Sequence, residues 1–111
     1  MRRALAGHGE QFLALRVDTI ANMGAYLSEY GPSVAVDGSS MTPGPYDIAA
    51  VAVRVRGVFT NTVPTDAYRG AGRPEACYVL ERLADRAAEA LGIDRAEIRR
   101  RNLVRKDGGE A

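Results

Sequence analysis

The sequence predicts an α+β fold: antiparallel strands first, then a glycine-rich loop and two helices. Three observations carry that expectation. Residues 12–18 and 51–56 alternate apolar and polar side chains with period two, as half-buried strands do. Residues 74–92 place apolar side chains at helical spacing. Between strands and helix lies Tyr68-Arg69-Gly70-Ala71-Gly72-Arg73, where two glycines precede a proline well suited to open a helix.

Arg3 to Ala6 reads as the end of a strand. Gly7-His8-Gly9-Glu10 then reads as a hairpin turn, since glycine supplies the positive φ of tight turns. From Phe12 to Asp18, Leu13, Leu15 and Val17 alternate with Arg16 and Asp18. The alternation slips at Thr19-Ile20, which predicts a bulge or the strand's end. Asn22 to Tyr26 reads as a strand exit. Residues 22–47 are irregular, punctuated by Gly31-Pro32 and Pro43-Gly44-Pro45, with a short helix expected within 33–42. A loop of that length is uncommon in a compact domain unless it is functional or covered.

Val51, Val53 and Val55 alternate with Ala52, Arg54 and Arg56 and define the clearest strand. Gly57 inside it predicts a bulge or a close approach by another group. Pro74 and Glu75 open the main helix, where the dipole favours an acid. Ala76, Leu80, Leu83, Ala84, Ala87, Ala88 and Leu91 are expected on its buried face, and Gly92 ends it. Asp94 and Glu97 form a capping-box pattern that starts a last helix reaching about Asn102.

The chain of 111 residues is the size of one domain. Its 15 basic and 14 acidic residues leave a net charge of +1, which argues against a nucleic-acid binder. One cysteine excludes an internal disulfide framework. No apolar run approaches the ~18 residues of a membrane span, and the N-terminus lacks the apolar core of a signal peptide. The cytoplasm is the expected location. Twelve glycines, five prolines and no tryptophan predict a thin core. The chain therefore reads as a piece of something larger, with unusually apolar exposed faces.

The loop at 68–75 is where chemistry is expected. Glycines let a ligand approach the backbone, a helix start attracts anions, and arginines add charge-assisted donors. It has no Gly-Lys-Ser/Thr of a phosphate-binding loop and lacks the third glycine of a dinucleotide fingerprint. His8 reads as a solvated turn residue and Cys77 as a small core residue. Glu75 reads as a helix-start carboxylate, and Met23 and Met41 as packing residues.

Thr60-Asn61-Thr62 and Ala67-Tyr68-Arg69-Gly70-Ala71-Gly72-Arg73-Pro74-Glu75-Ala76 resemble the molybdenum hydroxylases. So do Glu81-Arg82, Ala87-Ala88, Leu91-Gly92-Ile93-Asp94 and Arg99-Arg100-Arg101-Asn102 downstream, and Gly24-Ala25-Tyr26 and Pro45-Tyr46 upstream. This family comprises xanthine dehydrogenases, aldehyde oxidases and aerobic carbon monoxide dehydrogenases. The resemblance runs from about Gly7 to Lys106 and concerns the molybdopterin-binding large subunit. It implies one segment, 1–111, of a molybdopterin-binding domain. That segment would be strand-rich over 3–61, with the cofactor loop at 62–73, helices over 74–102 and a tail at 103–111.

The resemblance further implies an oxidoreductase that hydroxylates a small aldehyde or heterocycle at a molybdenum centre. Tyr68, Arg69, Gly70 and Ala71 would lie at the cofactor, and Ala71 also at the substrate pocket. The cofactor implied is molybdenum–molybdopterin, its cytosine dinucleotide form being one variant. Iron–sulfur clusters and FAD belong to partner domains or subunits. The implied partners are the rest of the molybdenum subunit, the iron–sulfur and FAD subunits and a small-molecule substrate, with no nucleic acid and no membrane. No residue here is expected to be catalytic or to bind metal directly, because the family's catalytic glutamate lies in a distant C-terminal motif. The segment is therefore expected to be inactive alone. Ala71 stands where purine-oxidising members carry an aromatic side chain, and no arginine lies between residues 17 and 53, which argues against purines. Gly70 stands where copper-dependent members carry cysteine, and Cys77 is too far along to replace it. The alternative is a stand-alone α+β binding or interaction module that keeps the fold without the cofactor.

Overall fold

The computed structural model describes residues 2–105, with the side chains of residues 2 and 3 excepted. Three strands, β1 (Arg2–His8), β2 (Gln11–Asn22) and β3 (Ala50–Val58), form one sheet in the order β1-β2-β3. Three helices complete the α+β fold: α1 (Gly31–Ser40), α2 (Arg73–Leu91) and α3 (Arg95–Asn102). Of the tail expected at 103–111, Leu103 pairs with Tyr46 in an isolated bridge, and residues 106–111 lie outside the described region.

β1 and β2 are antiparallel, and the turn between them shrinks to Gly9-Glu10, with Gly9 at φ 60°. β3 is not antiparallel: it joins β2 in parallel, with Ala14 beside Ala50 and Asn22 beside Val58. A parallel neighbour cannot be reached by a hairpin and needs a long crossover. The irregular stretch after β2 is that crossover, and α1 is its helix.

The expected slip in β2 occurs earlier than Thr19-Ile20. Ala6 pairs with Ala14 but Gly7 pairs with Phe12, so Leu13 is the extra residue of a bulge. The bulge moves Phe12 onto the core side together with Leu15 and Val17, and leaves Leu13 45% exposed. Thr19 and Ile20 continue the strand in regular register with Val55 and Arg56. Gly57 is likewise in register. Its peculiarity is a close approach by Met23, whose Cγ would stand 3.1 Å from an added Cβ.

The helices gather on the sheet face that carries Leu15 and Val17. Phe12, Leu15, Val17, Tyr46, Val79, Leu80, Ala84, Ala88 and Ile98 form the core. Phe12 and Tyr46 meet edge-to-face with ring centroids 5.6 Å apart. On α2 the buried stripe is Ala76, Val79, Leu80, Ala84 and Ala88. Leu91 is exposed, and so is Cys77, which the sequence had placed in the core. The stripe advances by fours, and Cys77 lies about 100° round the helix from Ala76. Gly92 at φ 67° caps α2, its N–H reaching Glu89 O while Ile93 N–H reaches Ala88 O. Asp94 then caps α3 by accepting from Ala96 N and Glu97 N.

The opposite sheet face, with Ala4, Ala6, Arg16, Ala52 and Arg54, is open to solvent. The molecule measures 50 × 29 × 21 Å. It exposes 7755 Å², against about 5,900 Å² for a compact chain of this size. Fifteen large apolar residues are exposed among the described ones, including Ile20, Tyr26, Phe59 and Val63. Most of them lie in loops and at element ends, whereas the open sheet face mixes alanines with arginines. No described helix is long and apolar enough to cross a membrane.

Candidate functional site

The loop at 68–71 is reached through a polar knot at the end of β2. Asn22 Oδ1 accepts from Thr60 Oγ1 at 2.6 Å and from Gly24 N at 2.9 Å, and Asn22 Nδ2 donates to Thr62 Oγ1 at 3.1 Å. Thr65 Oγ1 donates to Asn22 O at 2.8 Å. Ladder bonds from Met23 N to Val58 O, Ala25 N to Thr62 O and Thr60 N to Gly24 O extend the pairing past the strand ends. Gly24, at φ 79°, lies so close to the chain that an added Cβ would sit 2.4 Å from Pro64 Cα. This gives Thr60 and Thr62 a structural role: they fix the approach to the loop.

The loop itself is a pair of tight turns. Ala71 N donates to Tyr68 O, and Arg73 N donates to Gly70 O. Gly70 takes φ 83° and Gly72 φ 88°, conformations that glycine adopts without a Cβ penalty. Tyr68 is 89% exposed, and Arg69 is exposed with no hydrogen bond or ion pair among the described residues. Gly70 and Ala71 are half-buried. An added Cβ at Gly70 would meet nothing within 4 Å. At the start of α2, Arg73 N and Ala76 N are already bonded and Pro74 has no N–H, so few helix-start donors remain free. The four residues the sequence singled out thus share one exposed turn. Glu75 lies in the first turn of α2, as expected, beside a cavity of about 60 Å³ lined also by Gly38, Thr42 and Gly72.

The arginine run at the other end of the molecule is absorbed by acids. Arg99 Nε donates to Glu81 Oε2 at 2.7 Å and Arg99 Nη2 to Asp85 Oδ1 at 2.9 Å. Tyr46 OH donates to Glu81 Oε1 at 2.8 Å. Arg100 pairs with Glu97, and Arg101 with Glu97 and Glu10. Burial, followed by the hydrogen bond to Glu81 and its charge, raises the Tyr46 phenol to about 12. The hydrogen bond from Arg99 leads the influences that hold Asp85 below its ordinary carboxylate value. These contacts tie α3 to α2 and to the segment before β3. His8 is exposed at the end of β1, Met23 is buried and Met41 half-buried.

A cavity of about 600 Å³ opens between the hairpin and the end of α3, lined by Phe12, Leu13, Arg101, Asn102 and Leu103 among others. It shares no residue with the loop at 68–71. The loop is marked instead by Arg69, which has no ion pair among the described residues, by the exposed Tyr68 ring and by open space at Gly70. Sequence reading missed the knot at Asn22 and the backbone approach of Gly38 to Gly72. A glycine inside a helix was the available signal for the second.

A family model described as the molybdopterin cofactor-binding domain matches residues 4–103. The chain is 35% identical over 94 residues to the 6-hydroxypseudooxynicotine dehydrogenase complex subunit gamma of Paenarthrobacter nicotinovorans, covering 85% of this chain and 12% of that protein. It is 39% identical over 100 residues to the carbon monoxide dehydrogenase large chain of Hydrogenophaga pseudoflava, again covering 12% of the relative and 87% of this chain. Among solved structures, quinoline 2-oxidoreductase from Pseudomonas putida superposes with a TM-score of 0.80 at 36% identity, over 95% of this chain and 14% of that one. The chain thus spans only about an eighth of the length of these relatives.

Proposed function

The chain belongs to the molybdopterin cofactor-binding domain family, and from that premise we propose that it forms one wall of a molybdenum hydroxylase site. The parent enzyme would be an oxidoreductase of the xanthine dehydrogenase, aldehyde oxidase or carbon monoxide dehydrogenase type. When bound, the molybdenum–molybdopterin group supplies the redox chemistry that hydroxylates a small aldehyde or heterocycle. The residues present fit such a group. Molybdopterin is flat and anionic, and the loop presents a ring at Tyr68, a cation at Arg69 and an unfilled space at Gly70.

The observation that carries the reading is Arg69. It is an exposed guanidinium beside a φ 83° glycine, and no acid among the described residues pairs with it. We assign it to hold an acceptor of the cofactor, in either the plain or the cytosine dinucleotide form. Tyr68 would cover one side of the group, and the Gly70 backbone would allow close approach. Ala71, with only a methyl group, would border the substrate pocket and leave room there. The catalytic base, the iron–sulfur clusters and the FAD would come from other parts of the enzyme, so these residues would not turn over substrate alone.

The test is retention of cofactor by the complete polypeptide that carries these residues. Arg69→Ala should lower bound molybdenum and extractable pterin several-fold while leaving the thermal midpoint unchanged. Unchanged metal and pterin contents would reject the assignment. The competing idea of a self-contained binding module fares worse on the excess of exposed surface, since a closed module would show a smaller one.

A further inference from the structure

We infer that Gly38, in α1, is a positioning residue that sets the height of the loop Tyr68–Ala71; this rests on the cofactor reading above. Glycine inside a helix is intrinsically unfavourable relative to alanine, so a reason for Gly38 should be sought in what it touches. It touches Gly72. An added Cβ at Gly72 would stand 2.7 Å from Gly38 N and 3.1 Å from its Cα. An added Cβ at Gly38 would stand 3.1 Å from Gly72 O and 3.4 Å from its Cα. The two backbones meet with no side chain between them.

The other end of α1 behaves alike. An added Cβ at Gly31 would stand 2.6 Å from Thr65 O, and Ser28 Oγ donates to that same oxygen at 2.6 Å. Thr42 Oγ1 donates to Gly38 O at 3.0 Å and steadies the C-terminal contact. The helix therefore touches the chain just before the exposed stretch and just after it. Between those two contacts, no described side chain hydrogen-bonds or ion-pairs with Tyr68, Arg69 or Gly70. Their placement follows from where α1 holds Thr65 and Gly72. A methyl group at position 38 must push the Gly72 carbonyl, which accepts Ala76 N, by a few tenths of an ångström, and the shift reaches Ala71 and Gly70 through the Gly72 Cα, itself only 3.4 Å from the added Cβ.

The test compares Gly38→Ala with Ser33→Ala, an exposed position on the same helix, in the complete polypeptide. Gly38→Val serves as the larger step, and Arg69→Ala reports on the cofactor reading separately. Amide hydrogen exchange of the peptide covering 68–78 is measured without cofactor, and pterin and molybdenum retention with it. The expected result is faster exchange in that peptide and several-fold lower retention for Gly38→Ala, at an unchanged or raised thermal midpoint, with Ser33→Ala like the parent. Unchanged loop exchange would overturn the proposal. So would altered exchange with full retention if Arg69→Ala lowers retention, because Gly38 would then be merely structural. Altered exchange with full retention in both variants would uphold the control of the loop by Gly38 and reject the cofactor reading instead.

Discussion

Asn102 Oδ1 accepts the Phe12 N–H at 2.7 Å, joining the last turn of α3 to the start of β2 across 90 residues. Its Nδ2 donates to Glu10 O and to Ile98 O, both at 2.7 Å, and Asp47 N donates to Asn102 O at 2.8 Å. The side chain is buried with all its polar atoms paired. Asn102→Ala should therefore strand the Phe12 N–H and take the donor from Glu10 O, while Ile98 O keeps its helical bond, at a cost of about 1–3 kcal/mol. Asn102→Asp should cost a comparable amount, since an ionised carboxylate offers no donor to the two carbonyls. Urea unfolding of the variants measures both, and a loss within 0.5 kcal/mol, about the size of a typical surface substitution, would refute the clamp.

Tyr46 predicts an alkaline limit to stability. The phenol is raised from 10.0 to about 12 because folding buries it against the Glu81 carboxylate. A raised folded value means the contribution is complete below pH 10 and is lost as pH rises through 12. The whole effect is on the order of 3 kcal/mol. Tyr46→Phe should be less stable at pH 8, since Glu81 loses a donor, yet should decline less between pH 10 and 12. Parallel stability profiles for the two proteins across that window would show that the phenol carries no such linkage.

Gly24→Ala should be far more damaging than its size suggests. Position 24 has φ 79°, and the new Cβ would meet Pro64 Cα at 2.4 Å. Backbone strain alone costs ~1–3 kcal/mol, and the clash with an atom that cannot rotate away adds to it. The polar knot at Asn22, Thr60 and Thr62 should open with it. Hydrogen exchange at Ala25, whose N–H bonds Thr62 O, measures that opening directly. Protection as in the parent would contradict it.

Local signals were legible in the sequence and long-range ones were not. Gly92 and Asp94 announced the end of α2 and the start of α3, because a cap is built from neighbours in the chain. The valine alternation at 51–55 found β3 but not its direction, since period two is the same for parallel and antiparallel strands. The bulge at Leu13 escaped because it depends on the pairing of Ala6 and Gly7 across the hairpin. Cys77 was misplaced because the buried stripe on α2 is narrower than helical spacing alone suggests. At the loop, Gly70 and Gly72 looked equivalent in sequence. The fold separates them: Gly70 faces open space and Gly72 faces Gly38.

The open sheet face and the exposed apolar side chains predict how the 111-residue chain behaves when purified by itself. Phe59 is 65% exposed and Ile20 55% exposed. Burying such side chains fully is worth about 1.5–3 kcal/mol each, so contact between copies offers a substantial gain in water. The chain should self-associate as concentration rises and should bind an apolar-surface dye while folded. A net charge of +1 gives little repulsion to oppose this. Ile20→Ser with Phe59→Ser should reduce both dye binding and association, and should change the unfolding midpoint little, because neither side chain belongs to the core. Sedimentation velocity over a tenfold concentration range measures the association. A concentration-independent monomer with no dye signal would mean that these side chains pack against one another and present no free apolar surface.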